Sequence, residues 1–196
     1  MNRKPLIFVI AFFLGLQGCA GTAQSRKITS VSPGQVFAAG YINITAPTTD
    51  GWKLLQSSSV GPGFAKGGQT PSESFAAQVL AFKLAPTNTP QELEALIKKA
   101  VEEDAPPSRF NIKNISFEYS NERSYPCVRY NSIVVDKAPR GRKIPLLLES
   151  DGLYCRHPVH QETGFAIIYS HRGEKLYANL RSEAESFIQG VQVPSK

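Results

Sequence analysis

Between Cys127 and Cys155 lie two strand-like runs, Cys127–Asp136 and Ile144–Cys155, separated by a stretch holding Pro139 and Gly141. Runs of this length around a Pro/Gly turn read as a β-hairpin. If the turn centres on Gly141, each cross-strand pair lies equally far before and after it. Cys127 and Cys155 are both fourteen residues from Gly141, so they face each other. Directly opposed Cα atoms are about 4.5–5.5 Å apart, within the span of a disulfide. The same register sets Val128 against Tyr154, Tyr130 against Gly152 and Val134 against Leu148 on one face. Arg129, Asn131, Glu149 and Asp151 fall on the other. The register therefore sorts apolar from polar, as a hairpin with one buried face requires. The even-numbered face is expected to be core, and the Cys127–Cys155 bridge to lie on the outer face. A bridge closing about 28 residues contributes on the order of 3 kcal/mol. With no C-x-x-C motif in the chain, it reads as structural.

A disulfide needs an oxidising compartment, and the N-terminus supplies the route to one. Arg3 and Lys4 precede an uninterrupted run of apolar residues and one Gly from Leu6 to Leu16. At about 1.5 Å per residue, such a run covers roughly half of the ~30 Å hydrocarbon core, which fits a signal peptide and not a membrane span. The run ends in Leu16-Gln17-Gly18-Cys19, which resembles the lipobox of bacterial lipoproteins. The resemblance implies cleavage before Cys19, acylation of that Cys, and a lipid bilayer as partner. An ordinary cleavable signal with an incidental Cys is the competing reading. Two or three acyl chains anchor firmly where one does not. Ala20 follows Cys19. In enteric lipoproteins Asp at that place marks inner-membrane retention, so the expected address is the outer membrane, facing the periplasm. With Cys19 used for lipid, Cys127 and Cys155 are an even remainder.

Removing residues 1–18 leaves 178, enough for one domain with a substantial core. Residues 19–39 are rich in Gly, Ser, Thr and Gln and read as an acylated flexible tether; residues 40–196 read as a single domain. Two helices are expected. Thr89-Pro90-Gln91-Glu92 is a capping box with Pro at the first helical position. Leu93, Leu96, Ile97, Ala100 and Val101 then form one stripe, ended by Pro106-Pro107. Near the C-terminus Leu180, Ala184, Phe187 and Ile188 make a second apolar face, started by a Ser182/Glu185 capping pattern or earlier near Asn179, and stopped at Gly190. Strands are expected at 40–46, 52–57, 75–84, 112–119, 127–136, 144–155 and 165–170. Short links between them give an α+β fold, a twisted, mainly antiparallel sheet packed with two helices.

The layout, with Ala46-Pro47, then Gly51-Trp52-Lys53, a helix after the third strand and a last helix carrying Phe187-Ile188, resembles PsbP-like domains, among them DcrB-like periplasmic lipoproteins. That resemblance implies a sheet with helices on it and a non-catalytic, accessory role. No functional residue is carried over from it.

Candidate chemistry is sparse. His157, His160 and Glu162 lie in one short loop and offer two imidazoles and a carboxylate to Zn²⁺ or Cu²⁺; the alternative is a set of surface polar residues. Lys137, Arg140, Arg142 and Lys143 form the densest positive cluster, either a solvated turn or a contact for an anionic surface. Loss of Arg3 and Lys4 with the signal takes the formal charge from +6 to +4. Export makes lipid head groups, lipopolysaccharide or wall polymers the available anions, so no nucleic acid is expected. The Gly-rich segment from Gly61 to Thr70 lacks the Lys-Ser/Thr ending of a P-loop and reads as a mobile loop. Ser170 and His171 are neighbours on a strand, so they point to opposite faces and cannot form a dyad. No enzyme activity and no cofactor are expected. The leading reading is an envelope lipoprotein with an accessory or scaffolding role, binding a protein partner or a cell-wall component; the alternative is a small-ligand or metal carrier.

Overall fold

The computed structural model describes residues 29–58, 61–139 and 144–194; Cys19, Arg140, Arg142 and Lys143 lie outside them. In chain order the elements are β1 (Thr29–Ser30), β2 (Val36–Ala39), β3 (Ile42–Thr45), β4 (Lys53–Ser58), β5 (Gly61–Gly67), β6 (Ser74–Lys83), α1 (Pro90–Glu103), β7 (Phe110–Ser120), β8 (Cys127–Asp136), β9 (Leu146–Arg156), β10 (Thr163–Gly173), α2 (Leu180–Gln189) and β11 (Val191–Gln192). Eight strands form one sheet in the order β1-β4-β5-β6-β10-β9-β8-β7, and three form another, β11-β3-β2. Every pairing among the described residues is antiparallel. The expected α+β class, with two helices on an antiparallel sheet, is what the chain adopts.

The β8–β9 hairpin has the register read from the sequence: Cys127 opposes Cys155, Val128 opposes Tyr154, Tyr130 opposes Gly152, and Val134 opposes Leu148. Cys127 and Cys155 are joined. The bridge lies on the odd-numbered face as the register requires, but that face is not the outer one. Cys127 is 0% and Cys155 1% exposed, packed in the larger core with Tyr125, Leu153 and Phe165. The hairpin lies inside the sheet, between β7 and β10, and both of its faces are covered. On the odd-numbered face of β8, β9 and β10, α2 and the small sheet contribute Ile44, Ala184, Phe187 and Ile188 to the core. On the even-numbered face α1 lays Leu93, Ile97 and Val101 over Val128, Tyr154 and Ile168. We call these the α2 face and the α1 face. Polar residues on the α2 face find partners under the helix instead of water, so alternation marked the two faces without marking which one is wet.

Helix α1 starts at the expected Thr89 cap, with the return bond from Glu92 reaching one residue further back, to Asn88. Thr89 Oγ1 accepts from the Glu92 N–H at 3.2 Å, and the Glu92 carboxylate accepts from the Asn88 N–H at 2.7 Å. Helix α2 starts after Asn179, and Ser182 Oγ donates to the Asn179 carbonyl at 3.0 Å, so Ser182 lies inside the first turn and is not its cap.

Two expectations about the N-terminal half are corrected. The segment Gly61–Thr70, expected as a mobile loop, is largely β5, paired on both sides with β4 and β6. Gly61 has φ +127°, and a Cβ there would lie 1.9 Å from the Val79 carbonyl oxygen, so glycine is what lets β5 close onto β6. The expected tether also ends earlier. Thr29 and Ser30 pair with β4, and Val36–Ala39 pair with β3, so residues 29–39 belong to the domain.

Candidate functional site

The register that opposes the two Cys also aligns three serines. Ser132 opposes Ser150, and Ser150 opposes Ser170, across β8, β9 and β10. All three lie on the α1 face, with adjacent strands about 4.8 Å apart. Beyond the end of α1 they floor a cavity of about 60 Å³, roofed by Ala105 and Phe110 and walled by Gln78, Tyr130, Val134, Leu148, Tyr154 and Ile168. Gly152, opposite Tyr130, has no room for a side chain: a Cβ would lie 2.2 Å from the Ile167 carbonyl. Its lack of one keeps the sheet surface beside the tyrosines low.

The polar groups of this cavity differ in how they are satisfied. Tyr130 Oη donates to Ser132 Oγ at 2.7 Å, and Ser170 Oγ reaches the Ala76 carbonyl at 3.5 Å. Ser150 is 9% exposed and lines the cavity floor. Burial pushes the Tyr130 phenol up, against the Ser132 hydroxyl, and pushes the Tyr154 phenol up strongly, so both rings stay neutral. None of the lining residues carries a charge.

Charges gather beside the cavity. Arg109 grips the fully buried Asp136 through two bonds, Nε to Oδ1 at 3.0 Å and Nη2 to Oδ2 at 2.9 Å, and Arg172 Nη2 lies 3.7 Å from Oδ2. Burial raises the Asp136 carboxyl, but Arg109, the Ala138 N–H and Arg172 outweigh it and hold it below its ordinary value.

The α2 face carries a second polar group. His171 is 1% exposed and sits between two carboxylates, with Nδ1 3.0 Å from Glu149 and Nε2 3.1 Å from Glu73. Glu149 also accepts the Tyr177 N–H at 2.8 Å, and Glu73 accepts the Gln69 N–H at 2.6 Å, which lowers the Glu73 carboxyl first among its causes. Tyr169 and Tyr177 both donate to Glu183. Arg129 Nη2 binds Asp151 at 2.5 Å and Glu185 at 2.6 Å; burial nevertheless raises the Asp151 carboxyl. A polar cleft of about 230 Å³ lies between this group and the start of α2. Its carboxylates are already engaged. His171 ties β10 to the β5–β6 turn and the β10–α2 link, and Ser170 points to the other face, as the strand period requires.

The expected candidates fare unevenly. His157 and His160 are brought together, rings 4.8 Å apart, with Tyr41 4.5 Å from His160. But His157 Nδ1 accepts the Val159 and His160 N–H groups, both at 3.1 Å, so it caps its own loop. Glu162 is exposed and contributes its carbonyl to the Leu84 N–H. Among the described residues no three His, Cys, Asp or Glu side chains converge as a metal site. Burial and the neighbouring His160 hold the His157 imidazole below its ordinary value. Lys137 is exposed and donates to the Pro107 carbonyl at 2.6 Å; its three basic neighbours are outside the described residues. The serine row went unread in the sequence, although its signal was there: Ser132 and Ser150 are each nine residues from Gly141.

No protein-family model matches the sequence, and no curated protein matches it. Among solved structures, LpqN of Mycobacterium tuberculosis, described as involved in cell envelope biogenesis, is similar at TM-score 0.47 and 14% identity, over 86% of this chain and 91% of that one. The Saccharomyces cerevisiae Ran-binding protein Mog1p is similar at TM-score 0.45 and 9% identity, over 86% of this chain and 96% of that one. At this level of likeness neither protein's function is carried over.

Proposed function

We propose that this chain is an exported, lipid-anchored domain of the outer membrane with a non-catalytic role, binding a component of the cell envelope in the cavity on its α1 face. The observation that carries the reading is the cavity itself, a largely aromatic and aliphatic recess into which Gln78, Ser132, Ser150 and Ser170 bring polar groups. Sites of this kind, mostly apolar with a few placed polar groups, are where small ligands bind. The N-terminal Leu16-Gln17-Gly18-Cys19 and the disulfide in the core both suit an oxidising compartment.

The test is photocrosslinking in living cells with a photoreactive residue in place of Ala105, which is half-buried at the cavity roof, against the same residue at the exposed Glu102. Capture of one envelope component from position 105 and not from 102 is the expected result. Equal capture from both positions, or turnover of the captured molecule by the full chain that Ser150→Ala abolishes, sinks the reading.

A further inference from the structure

We infer that the group seated in the α1-face cavity is an uncharged acetamido group, as carried by N-acetylated amino sugars. This rests on the binding reading above and narrows it to a ligand class. Size sets the first limit. At roughly 10–15 Å³ per water-sized probe, a cavity of about 60 Å³ takes a group of some four to six non-hydrogen atoms. That suits one substituent of a larger molecule, with the remainder outside.

Chemistry sets the second limit, by exclusion. No charged side chain lines the cavity, so a carboxylate or ammonium group entering it would lose its hydration without a counter-charge. A purely hydrocarbon group would displace water from the Ser150 hydroxyl and offer it no hydrogen bond in exchange. What remains is a neutral group with both an acceptor and a donor, and with apolar surface of its own. The Ser150 hydroxyl and the Gln78 carboxamide each donate and accept. Gln78 lies on β6, across β10 from Gly152, and opposes Ile168, two residues along from the serine row and so on the same face. An acetamido group offers a carbonyl, an N–H and a methyl. Its first two match Ser150 and Gln78, and the methyl matches Val134, Leu148 and Ile168.

The test uses the full chain purified from its own membrane, with N-acetylglucosamine, glucose, glucosamine and acetate as probes. Ligand-observed saturation transfer reads which protons touch the protein. N-acetylglucosamine is expected to bind with its strongest transfer at the acetyl methyl, while the other three give at least tenfold weaker signals. Ser150→Ala and Gln78→Leu are each expected to weaken that binding at least tenfold. Ser150→Ala should leave the thermal midpoint close to that of the wild type, since Ser150 lines the cavity and removing its hydroxyl leaves the packed core intact. If Ser150→Ala fails to fold, Gln78→Leu, at a half-buried strand position, carries the comparison. Equal binding of glucose, transfer spread evenly over the sugar ring, or full binding by both variants overturns the inference. If no probe binds while the position-105 crosslink persists, the ligand class is wrong and the binding reading stands; loss of both removes both.

Discussion

A single carboxylate, Asp136, shows how this domain balances a buried charge. Asp136 is 0% exposed at the end of β8, and an ionised carboxylate there is costly unless paired. Arg109 binds both of its oxygens, and the residue after Lys137, Ala138, donates its N–H to Oδ1 at 3.2 Å. Burial pushes the carboxyl up; these partners together bring it below its ordinary value. A carboxyl whose folded value is lowered adds stability that is fully present above its unfolded value, near 3.9, and is lost as the pH falls through the folded value. Asp136→Asn is therefore expected to destabilise the domain at pH 7, by about 3 kcal/mol, because Arg109 loses its counter-charge. It is also expected to flatten the acid side of the stability curve. Urea melts of both proteins at pH 7 and pH 3 measure this: the gap between them must shrink at the lower pH. A gap that stays constant would mean that the pair contributes through packing and not through charge. Nothing in the sequence marked Asp136 beyond its place at a strand end. Its partners come from 27 residues before it and, more weakly, from β10, and only the folded sheet gathers them.

At the scale of elements, what was legible is what local chemistry fixes. Helix α1 was legible because a capping box, a Pro at the first position and an apolar stripe agree, and Thr89→Ala is expected to cost about 1 kcal/mol in a thermal melt by removing the Oγ1 that caps the Glu92 N–H. The β8–β9 hairpin was legible because residues equidistant from Gly141 pair, Cys with Cys and apolar with apolar. Strand β5 was not, because Gly61, Pro62 and Gly63 have the composition of a turn and only their pairing with β4, and that of Gly63 with β6, makes them a strand. The wet face of the hairpin was not legible either. Arg129, Glu149 and Asp151 looked like surface residues, but their partners Glu185 and Tyr177 lie in and before α2, far along the chain. The buried position of the bridge has a consequence. Replacing both Cys127 and Cys155 with Ala should cost about 3–4 kcal/mol for a crosslink spanning 28 residues. With both sulfurs in the core, a thiol reductant should act only as fast as the domain opens. Reduction followed by thiol labelling tests the second point: a rate that rises in proportion to reductant concentration would place the bridge within reach of solvent in the folded state.

The whole molecule is a large antiparallel sheet between α1 on one side and α2 with the small sheet on the other, and its N-terminal strand enters at the β4 edge. If Cys19 is acylated, that edge is held close to a bilayer. Thr29 is ten positions beyond Cys19, and a fully extended chain gains at most about 3.3–3.6 Å per residue, so β1 lies within roughly 35 Å of the acylated residue. Had the tether run to residue 39, the reach would be about twice that. Two forces can hold such a domain at a membrane, the acyl chains and the positive charge of the chain, and they respond differently to salt. Charge attraction to head groups is screened over about 10 Å at 0.1 M salt, whereas the burial of acyl chains is not screened. The wild-type chain is therefore expected to stay with the membrane fraction through a 1 M salt wash, and Cys19→Ser to appear in the soluble fraction even at low salt. A Cys19→Ser chain that remains on membranes until washed with salt would make charge the anchor, and the basic residues around Gly141 would become the place to look for the contact. A Cys19→Ser chain that resists the wash as well would mean that acylation of Cys19 is not what holds the domain, and the reading of Leu16-Gln17-Gly18-Cys19 as a lipobox would fall with it.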